Sequence, residues 1–133
     1  MSHRMQIRVY YEDTDFGGVV YYANYLRFIE RARSEWVREL GIDQVAMKEV
    51  HGLVFVVRRV VADYLAPGRY DDLLVVETIP KEIGRAKFVV GQVVRRGEER
   101  LFEAEVTIAV LSAEGRPARI PAEIRQALSQ DAG

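Results

Sequence analysis

No cysteine occurs in the chain, which excludes disulfides, a thiol nucleophile and any Cys-ligated metal. Histidine is almost as scarce. His3 and His51 stand alone, too far apart in sequence to suggest a metal pair, and both are expected at the surface. An excess of one charge is missing too. Lys and Arg number 19 against 20 Asp and Glu, a formal charge of −1, so no general attraction to nucleic acid or an anionic membrane is expected. Any phosphate binding must come from a local cluster. No stretch approaches the roughly 18 consecutive apolar residues of a membrane span. The opening Met-Ser-His-Arg-Met-Gln has no apolar run behind it, so no signal peptide is expected. These absences are those of a soluble, cytoplasmic domain.

What is present suits one core. A chain of 133 residues is expected to form one domain over 1–133 and is too short for two ordinary ones. Apolar residues at 49% and charged residues at 29% are ordinary for a globular protein. There is no internal repeat, low-complexity segment or linker.

Residues 5–11 alternate apolar and polar, the period of a half-buried strand. From Asn24 the period becomes helical: Tyr25, Phe28, Ile29, Ala32, Trp36 and Leu40 share a face, with Arg27, Arg31, Ser34 and Arg38 opposite. Asn24 reads as the N-cap and Gly41 as the C-terminal stop of a helix over 24–40. A connector over 42–52 carries a short helical turn at 44–50. Strands are then expected over 53–65, 72–82, 85–96 and 101–112, with a Gly97-Glu98 hairpin. Residues 121–129 suit a short helix with Pro121 at its first position. The order predicts an α+β fold, one long helix against a five-stranded antiparallel sheet. Segments such as Leu73-Leu74-Val75-Val76 and Ile108-Ala109-Val110-Leu111 are apolar on both faces, and one helix covers only one. Another copy of the chain is the expected cover.

Between the first strand and the long helix lies Tyr11-Glu12-Asp13-Thr14-Asp15-Phe16-Gly17-Gly18-Val19-Val20-Tyr21-Tyr22-Ala23-Asn24-Tyr25. Acidic side chains, a Gly-Gly step and a helix start adjoin here. A negative group then lies near free backbone N–H donors, a layout suited to acyl chemistry.

That segment, continued by Phe28-Ile29-Glu30-Arg31-Ala32-Arg33, resembles the hotdog-fold acyl-CoA thioesterases of the 4-hydroxybenzoyl-CoA thioesterase type. More narrowly it resembles the bacterial branch associated with the Tol–Pal envelope system, as do Phe55-Val56-Val57-Arg58-Arg59, Tyr64-Leu65-Ala66-Pro67-Gly68 and Asp71-Asp72-Leu73. The resemblance spans about residues 5–112. It implies a sheet wrapped around one central helix, paired into homodimers or homotetramers. It also implies an acyl-CoA substrate at the dimer interface, with acyl carrier protein as an alternative carrier. No metal or separate cofactor is implied, coenzyme A being part of the substrate.

By the same resemblance Asp15 is the catalytic carboxylate, as nucleophile or as general base on water, at a partly buried edge facing the helix start. The plainer reading is an aspartate bonded to its own turn. The Tyr22 backbone N–H would polarise the thioester carbonyl, aided by the helix dipole. Many members of the Tol–Pal branch carry His where this chain has Tyr22, so an imidazole role is absent here. Asp13 reads as a structural anchor of the turn. Gly17 and Gly18 permit close approach of substrate to backbone, or form a plain turn. Asn24 caps the helix or touches substrate, and Glu30 is the reserve carboxylate. For the coenzyme A phosphates the resemblance points to Arg85 and Lys87. Arg58 and Arg59 form a second pair on opposite strand faces, Arg59 being the candidate. The expected activity is acyl-CoA hydrolysis. Its rivals are a dehydratase or hydratase of the same fold, and a non-catalytic acyl-CoA or acyl-carrier-protein binding module.

Overall fold

The structure, a computed structural model, describes residues 2–130; the termini of the expected 1–133 domain lie outside them. In chain order the elements are β1 (His3–Arg8), α1 (Asn24–Glu39), α2 (Gln44–Ala46), β2 (Leu53–Tyr64), β3 (Leu73–Ile83), β4 (Lys87–Arg96), β5 (Glu99–Ser112) and α3 (Ala122–Ser129). The strands form one sheet in the order β1-β3-β4-β5-β2, and every neighbouring pair is antiparallel. This is the α+β, hotdog-type arrangement expected from the sequence.

The sheet holds α1 by alternation. Leu74 and Val76 of β3, Phe88, Val90 and Val94 of β4, and Val106, Ile108 and Val110 of β5 are buried. They meet the helix stripe Tyr25, Phe28, Ile29, Ala32, Trp36 and Val37. Trp36 lies 6.3 Å from Phe88 and Tyr25 stacks 5.0 Å from Phe102, ring centre to ring centre, so the helix is gripped near both ends. Residues between these, such as Val75, Val89 and Leu111, are only half-buried on the other face of the sheet.

Several boundaries differ from the sequence reading for local reasons. The first strand stops at Arg8 because residues 11–13 coil into a 3-10 turn, with the Tyr10 N–H bonded to Asp13 Oδ2 at 2.8 Å. Asn24 is not the N-cap. Ala23 holds that position and Asn24 is the first helical residue. Pro121 likewise precedes α3 as its N-cap rather than starting it. Gly41 does end α1. At φ 85° it closes a Schellman motif in which the Gly41 N–H reaches Arg38 O and the Ile42 N–H reaches Val37 O. After α2, residues 47–51 widen into one π turn that ends at Gly52.

Two bulges interrupt the sheet. The β2–β5 register skips Arg58 between Val57 and Arg59, so the simple alternation expected for Arg58 and Arg59 fails there. The β3–β4 register skips Lys81. Pro80 is tolerated beside that skip because β1 pairs with β3 only as far as Thr78. His3 also departs from expectation. Its side chain is only 10% exposed, and its Nε2 lies 3.0 Å from Glu39 at the end of α1.

Candidate active site

The acidic turn is a closed unit. A bridge pairs Thr14 with Val20, the Asp15 N–H donates to Val19 O at 2.9 Å, and the Gly18 N–H donates to Asp15 O at 3.0 Å. Gly18 has φ 78°, a left-handed conformation that disfavours any side chain. Gly17 keeps the turn uncrowded, since a Cβ there would lie 3.3 Å from Asp15 Oδ1 and press on the carboxylate. The Asp13 carbonyl accepts from the Tyr21 N–H and from Asn24 Nδ2, each at 2.9 Å, tying the turn to the first residue of α1. Asn24 is buried. Its side chain therefore joins turn to helix rather than capping the helix.

Asp15 is exposed, not set in a buried edge. Its Oδ1 accepts from the Gly17 N–H at 2.9 Å and more weakly from the Val19 N–H at 3.4 Å. Among the described residues Oδ2 has no hydrogen-bond partner. The carboxylate is thus half committed to its own turn, as the plainer reading had it, with one oxygen open. Beyond the turn, the Tyr22 and Ala23 N–H groups find no acceptor among the described residues. Free N–H groups at the start of a helix of 16 residues carry the positive end of its dipole. An open carboxylate oxygen and two open amides therefore share one short segment.

Contacts from β2 and the loop after it fix that segment. The Tyr64 hydroxyl donates to Tyr22 O at 3.2 Å, and the Val20 N–H donates to Gly68 O at 2.8 Å. The 65–72 loop is braced in turn by Arg96, whose Nη1 reaches Asp72 Oδ2 at 2.7 Å and whose Nη2 reaches Glu99 at 2.6 Å. These bonds to Glu99 and Asp72 hold the Arg96 guanidinium even further above the range in which it could lose its proton. Burial pushes the Tyr25 hydroxyl up, against the opposing effect of the Gly68 N–H that it accepts. Burial raises the Tyr64 hydroxyl as well, so both tyrosines stay neutral donors or acceptors. Tyr64 and Arg96 were not singled out from the sequence; the Tyr64-Leu65-Ala66-Pro67-Gly68 run was the only signal near them.

The predicted site residues do not all converge. Asp15, Gly17, Gly18, Tyr22 and Asn24 form the unit just described, beside the end of the sheet where Tyr64 pairs with Phe102 and Val94 with Phe102. Lys87 starts β4 opposite Ala109, at the other end of the sheet. Seven residues of strand separate Lys87 from Val94, roughly 23 Å at about 3.3 Å per residue. Arg85 lies in the loop before Lys87, where its carbonyl accepts from the Ile120 N–H at 2.7 Å. Arg125 of α3 joins that loop, donating to Gly84 O and Ile83 O at 3.1 and 3.2 Å, a cation the sequence reading missed. Arg59 is exposed midway along β2. Glu30 is exposed and accepts from Ser34 Oγ at 3.0 Å. Neither histidine approaches Asp15: His3 pairs with Glu39, and His51 lies 3.5 Å from Glu123. No cluster of three metal-binding side chains occurs among the described residues.

A helix cradled by this sheet, with an acidic turn at its start, defines the hotdog class of acyl-thioester proteins. The sequence pattern of the Thioesterase superfamily matches residues 17–103, and the chain belongs to that family. It is 42% identical over 122 residues to acyl-CoA thioesterase YbgC of Haemophilus influenzae, covering 91% of this chain and 90% of that one. To acyl-CoA thioester hydrolase YbgC of Escherichia coli it is 39% identical over 129 residues, with 92% and 96% covered. Among solved structures, a probable thioesterase from Bartonella henselae superposes with a TM-score of 0.86 at 41% identity, covering 91% of this chain and all (100%) of that one. An Asp→Asn variant of 4-hydroxybenzoyl-CoA thioesterase bound to 4-hydroxybenzoyl-CoA superposes with a TM-score of 0.89 at 25% identity, with 96% and 99% covered.

Proposed function

We propose that this chain hydrolyses acyl-CoA thioesters to a free carboxylic acid and coenzyme A. The observation that carries the proposal is an open Asp15 oxygen and an unpartnered Tyr22 N–H within the one turn that leads into α1. The kinship with the YbgC thioesterases supports the same reading. The thioester carbonyl oxygen would accept from the Tyr22 N–H, which stabilises the charge that builds on it in the tetrahedral state. Asp15 attacks the carbonyl carbon, or takes a proton from a water that does. The C–S bond then breaks, and the thiolate leaves with its electron pair and is protonated to coenzyme A; where Asp15 itself attacks, water then hydrolyses the acyl–Asp15 anhydride, releasing the acid and restoring the carboxylate.

The active assembly is a pair of chains joined along β2. Val56, Val57, Val60 and Val61 on that edge strand are 40–49% exposed in the single chain, an apolar edge that folded proteins seldom leave bare. Antiparallel pairing of two β2 strands sets the Tyr64 end of one against the Leu53 end of the other. Arg85 and Lys87 of a second copy, distant from Asp15 within one chain, would then come to the Asp15 end. There they suit the nucleotide phosphates.

The test is release of free thiol from a panel of acyl-CoAs, repeated on Asp15→Asn. The expected result is turnover by the wild type and a loss of at least about 100-fold in the variant, the scale of removing a reacting group. Binding without thiol release would point to a carrier module. Hydration of an enoyl-CoA would point to the dehydratase.

A further inference from the structure

Beneath the middle of α1 lies a polar cluster that the chemistry at Asp15 does not use. Gln92 and Thr78, on β4 and β3, are both fully buried at 0% exposure. Gln92 Nε2 donates to Ile29 O at 2.8 Å and to Thr78 Oγ1 at 2.9 Å. Both amide hydrogens are therefore spent, and the amide oxygen has one orientation left. That oxygen accepts from Arg33 Nη1 at 3.0 Å. The chain thus uses two buried polar side chains to hold one guanidinium in place.

Arg33 makes no ion pair among the described residues, although charges withdrawn from water are ordinarily paired. Burial lowers its affinity for the proton, and Glu30 nearby opposes that effect. One of its five N–H donors meets Gln92, and the fork geometry of the rest suits a carboxylate. Arg33 also lines a cleft of about 90 Å³, with Phe55, Val57 and Phe88 as apolar walls and Glu30 and Ser34 at its polar side. That volume equals about three water-sized groups, the size of one carboxylate. Glu30 is exposed and already bonded to Ser34, so water screens its charge more than it screens that of the half-buried Arg33.

We propose that this cleft binds the far end of the acyl group and selects one that ends in a carboxylate, so that the preferred substrates are short dicarboxylic acyl-CoA thioesters. The inference rests on the acyl-CoA reading above. The cleft lies along the Phe55–Val57 stretch of β2, towards the end away from Asp15 of its own chain. Under the β2 pairing proposed above, this end of β2 would adjoin the Tyr64 end, and with it the Asp15 turn, of the second copy. The thioester is held at one chain's turn while the acyl terminus reaches the other chain's Arg33.

The experiment measures equilibrium binding of succinyl-CoA and butyryl-CoA, matched in chain length, to the full chain carrying Asp15→Asn. Thiol release by the wild type is measured alongside. The expected preference for succinyl-CoA is about 10- to 100-fold, the scale of a charge-assisted hydrogen bond. Arg33→Met in the same background should remove that preference while leaving butyryl-CoA binding within about threefold, a loss confined to the charged contact. Arg33→Lys keeps the charge and most of the packing. It should lose most of the preference, because one ammonium group cannot reproduce the planar fork. Equal binding of the two thioesters, an equal loss of both in Arg33→Met, or an unchanged preference in Arg33→Lys would each overturn the proposal. Absence of thiol release from these two thioesters and from the wider acyl-CoA panel removes the hydrolase reading instead, and the binding ratio still decides the cleft.

Discussion

The Tyr25 hydroxyl accepts a 2.9 Å hydrogen bond from the Gly68 N–H, joining the first turn of α1 to the loop that follows β2. The contact has no room to spare. A Cβ at position 68 would lie 3.1 Å from both Tyr25 Oη and Val20 Cγ2. Gly68→Ala should therefore destabilise the fold by about 1–3 kcal/mol, as overpacking does. Urea unfolding measures it, and an unchanged midpoint would show that the loop yields freely.

Asn24→Ala should lower thiol release more than it lowers stability. The Asp13 carbonyl keeps its bond from the Tyr21 N–H when Asn24 Nδ2 is removed, so no buried acceptor is stranded and the stability cost should be about 1 kcal/mol. The tie between turn and helix is lost, and the placement of Asp15 against Tyr22 loosens with it. Parallel unfolding and kcat measurements check this; a kcat equal to wild type would make the tie purely structural.

Val60→Lys should yield monomers by light scattering and abolish thiol release, although Val60 lies outside the Asp15 turn. A cation on the exposed edge of β2 opposes strand pairing. Full activity in a monomeric variant would remove the requirement for a second copy.

Acid stability should depend on Glu77. The hydrogen bond from Ser2 Oγ holds its carboxyl below the usual carboxylate range, with Arg4 and Arg95 adding to the effect against burial. A group depressed in the folded state stabilises above its unfolded pKa, and that contribution is lost as pH falls through the folded value. Glu77→Gln should flatten the loss of stability below about pH 5, where an unperturbed Glu begins to titrate. Identical acid slopes for wild type and variant would assign the acid response to other groups.

Much of this architecture was legible because periodicity is local. Alternation marked the strands, the stripe from Tyr25 to Trp36 marked α1, and Gly41 marked its end, since each pattern depends on residues a few positions apart. Asn24 misled for the same reason. Its type suits a cap, but its amide found the Asp13 carbonyl, a partner set by how the turn folds back. The sequence reads His3 as a surface residue because nothing nearby in sequence shows that β1 lies against the end of α1.

The sequence alone determined that one long helix would meet an antiparallel sheet, and that a carboxylate would adjoin a glycine pair and a helix start. Only the tertiary structure decided that Lys87 sits at the far end of the sheet from Asp15 and that Gln92 steers Arg33 into a cleft. Those outcomes depend on strand register and on which buried amide meets which carbonyl. Both are set by packing between residues far apart in the chain, 59 positions for the Arg33–Gln92 pair, a distance over which no local pattern carries information.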